Sequence, residues 1–300
     1  MNTMHLWRAD RMSFLKGLDK DKSIRLYKFS GEGLEVSDDS SIISNDNFTK
    51  VAFLDLETTG LDFQRDEIIE IGIRTIAVNK QDYSETVAVK AYESYNDTEI
   101  ELDEEIIQLT GITKDMIAGK KIDWKQVEEI LAISDIVVAH NASFDRHFLE
   151  KNIDFENVWA CSKADVDWKE RGFLNTKLEL LSIWHGFYYD SHRAMNDVNA
   201  TIHLLLHPSY PEYPPLEELV ENAQKNHYLI VNKFPYNQDF IKMLKKRGGY
   251  RYNPSDKSWR ILFKDKDSLD IEVEWLKKTI YNGYFQGEVQ EISMLDKYKI

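Results

Sequence analysis

The amino-acid sequence predicts an α/β domain with a mixed five-stranded sheet flanked by helices, followed by a small α+β C-terminal module. Three strand-like segments come first, and strand and helix patterns then alternate, which is the order expected of a mixed sheet. Proline marks the end of this domain. All six prolines follow residue 207, and four of them fall within residues 208–215, where they predict a linker or a rigid turn.

The individual elements follow from the spacing of apolar residues. Residues 51–56 are typical of a buried strand, and residues 67–78 alternate and are rich in isoleucine. Further strands are expected at residues 83–91, 136–139 and 157–161, with one more indicated at 23–29. Helical spacing predicts helices at residues 103–110, 123–133, 144–151, 177–184 and 193–207.

These patterns divide the chain into four parts. We expect an N-terminal extension over residues 1–48, a main domain over 49–207, a proline-rich linker over 208–215 and a C-terminal module over 216–300. The polar, turn-rich residues 37–47 support the first of these boundaries.

Composition restricts the class of protein. Of the 300 residues, 42% are apolar and 30% are charged, as in ordinary globular proteins. Residues 1–18 lack the unbroken apolar core of a signal peptide, and no apolar run approaches the length of a membrane span. Cys161 is the only cysteine, which excludes an internal disulfide. These features predict a cytoplasmic protein with no membrane partner.

The net charge of −14 taken alone argues against a nucleic-acid partner, because an acidic field repels phosphates. A site built from clustered carboxylates is acidic by its nature, however, and bound divalent cations would reverse the local field. The distribution of charge therefore matters more than its sum.

Two acids stand at the end of the first predicted strand. Asp55 and Glu57 are two residues apart, so their side chains point to the same face of the sheet. They repel each other unless a cation lies between them. Thr58, Thr59 and Gly60 then form a turn whose amides can approach a phosphate. The alternative is a strand end with two exposed acids.

Two further acids stand near the starts of predicted helices. Asp145 follows the strand at 136–139, and Asp197 begins the helix at 193–207. An acid in the first turn is often only a partner for the helix dipole, so this alternative stays open for both. His192 lies five residues before Asp197. Imidazole titrates near neutral pH, so a histidine beside a metal-binding acid suits the activation of water.

Together these segments resemble the DEDDh exonucleases, a superfamily that includes the epsilon proofreading subunit of bacterial DNA polymerase III and ribonuclease T. Its three motifs are matched by Asp-Leu-Glu-Thr-Thr-Gly at 55–60, His-Asn-Ala-Ser-Phe-Asp at 140–145 and His-Arg-Ala-Met-Asn-Asp at 192–197. The segments 109–113 and 177–181 are also similar to the family. The resemblance covers about residues 49–207 and implies a ribonuclease H-like fold.

The resemblance implies a metal site and a general base. The family's metal ligands correspond to Asp55, Glu57, Asp145 and Asp197, and its base corresponds to His192. Two divalent ions can activate the nucleophile and stabilise the leaving oxygen of a phosphodiester, and oxygen ligands suit Mg²⁺ or Mn²⁺. We expect Asp55 to bridge the two ions, Glu57 and Asp197 to complete one site, and Asp145 to act through water or the second ion.

Substrate contacts are expected around these motifs. Many family members have histidine at the position of Thr110, and the alternative for Phe144 is packing in the core. The expected contacts are Thr58, Thr59, Gly60, Leu61, Leu109, Thr110, His140, Asn141 and Phe144.

The implied activity is 3′→5′ hydrolysis of nucleic acid, with DNA favoured over RNA and with nucleoside 5′-monophosphates as products. One rival is an exonuclease that trims RNA or clears oligonucleotides, because the catalytic motifs do not read the sugar. Another is a non-catalytic nucleic-acid-binding module. A separate polymerase and a second copy of the chain are the candidate protein partners.

The C-terminal module differs from the rest of the chain in charge. Residues 225–264 hold ten Lys or Arg and only two acids, with eight aromatic residues interleaved. Such a surface suits single-stranded nucleic acid. The alternative is a small folded module whose aromatics form its core. A turn is expected at 253–256 and a strand at 257–263. The candidate contacts are Lys245, Lys246, Arg247, Arg251, Trp259 and Arg260.

Overall fold

The structure is a computed structural model that describes residues 25–83 and 85–299, and these form two compact units. The first unit contains the described residues up to Ala223, together with Tyr298 and Lys299. The second unit runs from Gln224 to Lys297. No helix among the described residues is long and apolar enough to cross a membrane.

The first unit contains seven strands and seven α-helices among its described residues. The strands are β1 (Tyr27–Lys28), β2 (Phe48–Thr58), β3 (Ile68–Asn79), β4 (Thr86–Tyr95), β5 (Ile136–Ala139), β6 (Val158–Cys161) and β7 (Phe187–Tyr188). The helices are α1 (Glu104–Thr110), α2 (Lys114–Ile117), α3 (Trp124–Ala132), α4 (Ala142–Glu150), α5 (Leu178–Trp184), α6 (Ala194–Leu205) and α7 (Pro215–Ala223).

The predicted mixed five-stranded sheet is confirmed. Its order is β4-β3-β2-β5-β6. β2 pairs antiparallel with β3 and parallel with β5, so the sheet changes from antiparallel to parallel at β2. β4 begins at Thr86, later than the predicted residue 83, because the Asn79 amide donates to the Glu85 carbonyl and closes the return from β3 just before Thr86.

Alternation along β2 gives the sheet two buried faces. Val51 and Phe53 pack in a core with α5, α6 and α7, whereas Leu54 and Leu56 pack on the opposite face with α3 and α4. Asp55 lies on the same face of β2 as Val51 and Phe53. The end of β2 therefore presents its acids toward the side of the sheet that α6 covers.

The compact units divide after Ala223 rather than at the expected linker of residues 208–215. The prolines do mark a change of direction, but α7 follows them and returns to the sheet. Leu216, Leu219 and Val220 of α7 are buried in the core of the first unit. The residues 216–223 assigned to the C-terminal module thus belong to the first unit, because their apolar face packs there.

Part of the predicted N-terminal extension also packs in the first unit. β1 pairs in parallel with β7, and Phe29 is buried beside it, so the strand indicated at 23–29 is present over Tyr27–Lys28, with residues 23 and 24 outside the described range. Within the polar segment 37–47, Ser40–Ser44 form a 3₁₀ helix, and Ile42 and Ile43 pack against the sheet.

The second unit is a four-stranded antiparallel sheet with two helices. Its elements are β8 (His227–Asn232), α8 (Gln238–Arg247), β9 (Arg251–Asn253), β10 (Ser258–Phe263), α9 (Lys266–Thr279) and β11 (Glu288–Ile292), with the sheet in the order β11-β8-β10-β9. The predicted strand at 257–263 is β10. Buried Ile230, Leu244, Leu269 and Leu276 join the sheet to the helices, which gives an α+β unit.

Candidate active site

The first part of the site lies where β2 and β3 pair. Asp55 stands opposite Gly72, and Glu57 stands opposite Glu70. Opposed residues in an antiparallel pair share a face, so Glu70 is a further carboxylate on the same side as Asp55 and Glu57. Gly72 has no side chain, and a Cβ at this position would lie 2.6 Å from the backbone nitrogen of Met195. The start of α6 therefore lies directly on β3 beside Asp55.

Asp197 is brought to the same place by α6. It lies in the first turn of that helix, whose first residues, Ala194 and Met195, lie over Gly72 of β3. The Tyr189 hydroxyl donates to its Oδ1 at 2.9 Å, and the Arg193 backbone amide donates to its Oδ2 at 3.2 Å. These two donors fix the orientation of the carboxylate before any cation binds.

Asp145 approaches from a different direction. It lies in the first turn of α4, which packs on the opposite face of the sheet from α6, and it is only 3% exposed. Its carboxylate lies close enough to the Leu56 amide for that amide to favour the charged form. Because α4 begins directly after β5, which is the parallel neighbour of β2, Asp145 reaches the other three acids at the end of the strands.

Three of the four predicted ligands converge closely. Oxygen atoms of Asp55, Glu57 and Asp197 lie within 4.8 Å of one another, and among the described residues this is the cluster suited to a metal ion. Asp145 lies beside this group, and its charge raises the pKa of Asp55. The donor set is entirely carboxylate oxygen, which is the set that Mg²⁺ and Mn²⁺ bind.

Burial and mutual repulsion raise the pKa values of these acids and so favour their neutral forms. Burial, together with the charges of Asp197 and Asp145, raises the pKa of Asp55 well above its usual value. Burial raises the pKa of Glu57 and of Asp145 to about 8, and that of Asp197 to about 6. A cation would therefore be needed at neutral pH to hold Asp55, Glu57 and Asp145 in their charged forms.

Saturating Mn²⁺ is expected to stabilise the protein more at pH 8 than at pH 6. In the metal-free protein these acids bind more protons when folded than when unfolded, so stability falls as pH rises from their usual values near 4 toward about 8. A cation that binds the charged acids removes this loss. At a concentration 100 times its Kd at pH 8, Mn²⁺ contributes ~2.7 kcal/mol at that pH, or roughly 5–10 °C in Tm, and the same concentration contributes less at pH 6, where protons compete for the acids.

Thermal denaturation with and without Mn²⁺ across this pH range measures the effect. Asp55→Asn is the matched variant, because it removes one carboxylate and should flatten the pH dependence of the metal-free protein. A shift in Tm that is equal at pH 6 and pH 8 would contradict the electrostatic account.

His192 lies at the edge of the acid cluster, and its backbone has a left-handed conformation. Its φ is 62°, in a loop immediately before α6. The imidazole Nε2 lies 3.2 Å from Oε1 of Glu179, which is at the start of α5. The charge of His192 lowers the pKa of Asp197, so the two side chains are neighbours. The structure thus places the predicted base beside the predicted ligands, held by a carboxylate that the sequence did not assign.

Several of the residues predicted to contact the substrate instead form hydrogen bonds or close contacts within the protein. The Thr58 hydroxyl donates to the Gly60 carbonyl at 2.6 Å, and a Cβ on Gly60 would clash with the carboxylate of Asp66. The Thr110 side chain is buried and donates to the Ile106 carbonyl. These residues shape the loops around the site from within.

Thr59 and His140 are likewise held by internal hydrogen bonds. The Thr59 hydroxyl donates to Asp66 and accepts from the Glu67 amide. The two ring nitrogens of His140 lie 2.8 Å from Ser162 Oγ and 2.7 Å from the Thr176 carbonyl, and burial lowers its pKa to about 4. A neutral imidazole with both nitrogens occupied is suited to fixing a loop.

Three other predicted contacts face solvent. Leu61 is 87% exposed, and Leu109 and Asn141 are exposed as well. Phe144 is half-buried, and its ring lies 4.8 Å from that of Phe148 in the core. Leu61, Leu109 and Asn141 are therefore the residues of this set that are free to meet a ligand.

In the second unit, three of the six residues proposed to contact nucleic acid are instead held by other residues of the unit. Arg247 forms an ion pair with Glu272 at 2.9 Å, and Arg260 forms one with Asp256 at 2.8 Å. Trp259 packs on the helix-covered side of the sheet. The remaining candidates, Lys245, Lys246 and Arg251, are exposed. Much of the aromatic content also forms the core: Tyr228, Phe234, Phe240, Tyr250, Trp259 and Phe263 all pack there.

The sequence missed the residues that hold the predicted ones in place. Glu70, Gly72, Glu179, Tyr189 and Arg193 each touch a motif residue or the backbone beside one. Gly72 carried a signal, since an isolated glycine in a strand indicates close approach of another backbone. Glu179 and Tyr189 carried none, because their contacts depend on how the helices pack.

Known proteins resemble part of this chain. DNA polymerase III PolC-type from Thermotoga petrophila is 32% identical over 200 residues, covering 59% of this chain. The 3′-5′ exonuclease DinG of Staphylococcus epidermidis is 29% identical over 194 residues, covering 62% of this chain. The chain spans 14% of the length of the first relative and 20% of the second.

A solved structure of Exonuclease X in complex with 5′ overhanging duplex DNA is 21% identical, with 57% of this chain and 98% of that chain covered and a TM-score of 0.43. The RNase_T family model, described as Exonuclease, matches residues 52–205, just over half of this chain. That range contains all three motifs and confirms the resemblance drawn from them. The chain belongs to the RNase_T exonuclease family.

Proposed function

We propose that this chain is a metal-dependent 3′→5′ exonuclease that removes nucleotides from the 3′ end of DNA as nucleoside 5′-monophosphates. The observation that carries the proposal is the convergence of Asp55, Glu57 and Asp197 within 4.8 Å, with Asp145 and His192 beside them. The names of the PolC-type and DinG relatives favour DNA as the polymer and 3′→5′ as the direction.

Two divalent ions, Mg²⁺ or Mn²⁺, would be held by these carboxylates and would supply Lewis-acid stabilisation of charge on the scissile phosphate. Asp55 is central, since it neighbours the acids of both helices. Tyr189 and the Arg193 amide orient Asp197 toward the cluster. The chain's own contribution is thus a rigid set of oxygens, placed by β2 on one side and by α4 and α6 on the others.

His192 would act as the general base. Its imidazole Nε2 lies 3.2 Å from Oε1 of Glu179, and its charge lowers the pKa of Asp197, so the ring lies between α5 and the acid cluster. A neutral imidazole at this position would take a proton from the attacking water. Exposed Leu61 and Leu109 offer apolar contacts to the terminal nucleotide, and Asn141 offers a polar one.

Digestion of end-labelled oligonucleotides tests the proposal. Single- and double-stranded DNA and RNA, labelled at the 3′ or the 5′ end, would be incubated with Mg²⁺, Mn²⁺ or EDTA. We expect 3′-labelled DNA to release labelled mononucleotide at once, 5′-labelled DNA to shorten gradually, and EDTA to stop both. Preferential digestion of RNA would favour the RNA-trimming alternative. Equal rates in EDTA would overturn the metal-dependent mechanism.

We further propose that the second unit contributes a surface for the DNA backbone around the end of α8. Lys245 and Lys246 are exposed in the last turn of α8, and Arg251 is exposed on β9, with only residues 248–250 between the two elements. Of the six candidate contacts in this unit, these three stay exposed, whereas Arg247 and Arg260 form ion pairs and Trp259 packs in the core. A phosphate backbone is the partner that such a surface attracts.

Neutralising two of these lysines is expected to weaken the salt dependence of binding. In an Asp55→Asn background, which prevents digestion, the double change Lys245→Gln and Lys246→Gln should lower the slope of log K against log salt for single-stranded DNA by about 1.4. The control pair Lys264→Gln and Lys278→Gln removes the same charge from exposed positions elsewhere in the unit. An equal change in both pairs would show that only net charge matters.

A further inference from the structure

A fifth carboxylate, Glu70, faces the acid cluster and yet is not free to bind a cation. It stands opposite Glu57 in the β2–β3 pair and is only 6% exposed. Its Oε1 accepts from Arg193 Nη2 at 2.8 Å and from Arg193 Nε at 3.1 Å, and its Oε2 accepts from the Ala194 backbone amide at 2.9 Å. Its lone pairs are thus directed to the start of α6.

This contact replaces a missing helix cap. The N-cap residue of α6 is Arg193, whose side chain makes no capping hydrogen bond within the helix. The first amide of the helix, at Ala194, is instead satisfied by Glu70 from the neighbouring strand. A negative charge at a helix N-terminus is favourable, so β3 both caps and anchors α6.

Tyr95 completes the arrangement from the third strand. It stands opposite Glu70 in the β3–β4 pair, its hydroxyl meets Nη2 of Arg193, and the guanidinium lies 5.4 Å from the centre of its ring. Arg193 is therefore fixed in a plane by a carboxylate on one side and by an aromatic ring on the other. A bidentate Arg–carboxylate pair fixes direction as well as distance.

The anchored residue lies between two predicted functional groups. His192 directly precedes Arg193 in the chain, and the Arg193 backbone amide donates to Asp197 Oδ2. Gly72, two residues beyond Glu70 on the same face, allows the backbone of α6 to lie against β3. Movement of Arg193 would displace both the base and a ligand relative to Asp55.

We infer that Glu70, Arg193 and Tyr95 form a positioning clamp, which sets His192 and Asp197 against Asp55 and Glu57 and whose carboxylate is withheld from the metal by the guanidinium. This inference rests on the proposed function. Residues that orient metal ligands from outside typically change metal affinity or activity 10–100-fold when they are replaced.

The test compares Glu70→Gln with a matched pair outside the site. Arg171 and Glu218 form a similar buried ion pair at 2.8 Å in the same unit, with Arg171 over the rings of Tyr210 and Tyr213. Glu218→Gln is therefore the control for loss of a buried ion pair. The measurements are kcat and KM on single-stranded DNA, the Kd for Mn²⁺ without substrate, and Tm.

Glu70→Gln is expected to lower kcat by roughly 10–100-fold and to weaken Mn²⁺ binding by about tenfold, with KM changed less than kcat. Glu218→Gln should lower Tm but leave kcat and the Mn²⁺ Kd unchanged. Combining Glu70→Gln with Arg193→Gln should cost no more in kcat than the worse single change, because the two residues act as one unit. If Glu70→Gln unfolds the chain, Tyr95→Phe removes one contact of the clamp and should shift kcat and Kd in the same direction by less.

Unchanged kcat and Mn²⁺ affinity in folded Glu70→Gln would overturn the clamp, as would an equal loss of kcat in Glu218→Gln or losses that multiply in the double variant. If the proposed function itself is wrong, the measurements give a different result. In that case the unaltered protein lacks exonuclease activity, while the Mn²⁺ Kd and Tm still report whether Glu70 positions the cluster.

Discussion

Asp55→Asn is expected to lower exonuclease turnover by ~10³-fold or more and to leave the fold intact. Asp55 neighbours every other acid of the cluster, and its oxygen is one of the three that converge within 4.8 Å. Asparagine has the same shape but no negative charge, so the cation loses its central ligand while the packing around β2 is kept. Asp145→Asn should have an effect of the same order, since it removes the acid supplied from α4.

The folded state of these variants is checked by circular dichroism and thermal denaturation. We expect Tm of the metal-free Asp55→Asn protein to equal or exceed that of the unaltered protein at pH 8, because removing one charge relieves repulsion among the acids. Asp154→Asn, at an exposed position after α4, serves as the matched control and should keep full activity. Near-normal turnover in Asp55→Asn would remove the site assignment.

Loss of the imidazole at residue 192 is expected to reduce kcat by roughly 10²–10⁴-fold without a comparable loss of Mn²⁺ affinity. None of the three converging oxygens belongs to His192, so the cation keeps its ligands. Backbone strain has to be separated from chemistry here, because the φ of His192 is 62°. Asparagine adopts this left-handed region more readily than most residues, so His192→Asn is a better variant than His192→Ala.

Rapid-quench digestion of a labelled oligonucleotide measures the chemical step for His192→Asn, and titration with Mn²⁺ measures binding. Glu179→Gln provides a graded comparison, because it keeps a partner for Nε2 but removes the charge. A large loss of Mn²⁺ affinity with an unchanged rate at saturating metal would show that His192 serves metal binding and is not the base.

The fold and the acid cluster were predictable from the sequence because both depend on residues that are close together in the chain. Alternation in β2 places Asp55 and Glu57 on one face regardless of what the rest of the chain does. Asp145 and Asp197 lie in the first turns of helices that follow apolar segments, so their positions were fixed to within a turn. The family resemblance then joined the three segments into one site.

The supporting contacts were not predictable in the same way, because they join segments far apart in the chain. Glu70 meets Arg193 across 123 residues, and the contact depends on the register of β2 with β3 and on the approach of α6 to Gly72. Glu179 meets His192 only because α5 packs beside the loop before α6. The spacing of residues along the sequence predicts neither of these two contacts.

The end of the first unit was misplaced for a related reason. The prolines at 208–215 indicate a change in chain direction, but they do not say which core receives the next helix. Leu216 and Leu219 of α7 are buried in the first unit, and this depends on the shape of the surface that α7 meets. Similarly, the ten cations of residues 225–264 suggested one broad basic surface, whereas the ion pairs of Arg247 and Arg260 leave a narrower one.

Counting the Mn²⁺ ions that the protein binds tests directly whether the acid cluster is a two-metal site. Electron paramagnetic resonance of free Mn²⁺ during titration, in the presence of a nucleoside 5′-monophosphate, gives the number of bound ions and their affinity. We predict two ions per chain for the unaltered protein and a large loss of affinity for Asp55→Asn, in parallel with loss of exonuclease activity. Absence of saturable Mn²⁺ binding, or identical binding in Asp55→Asn, would contradict the account.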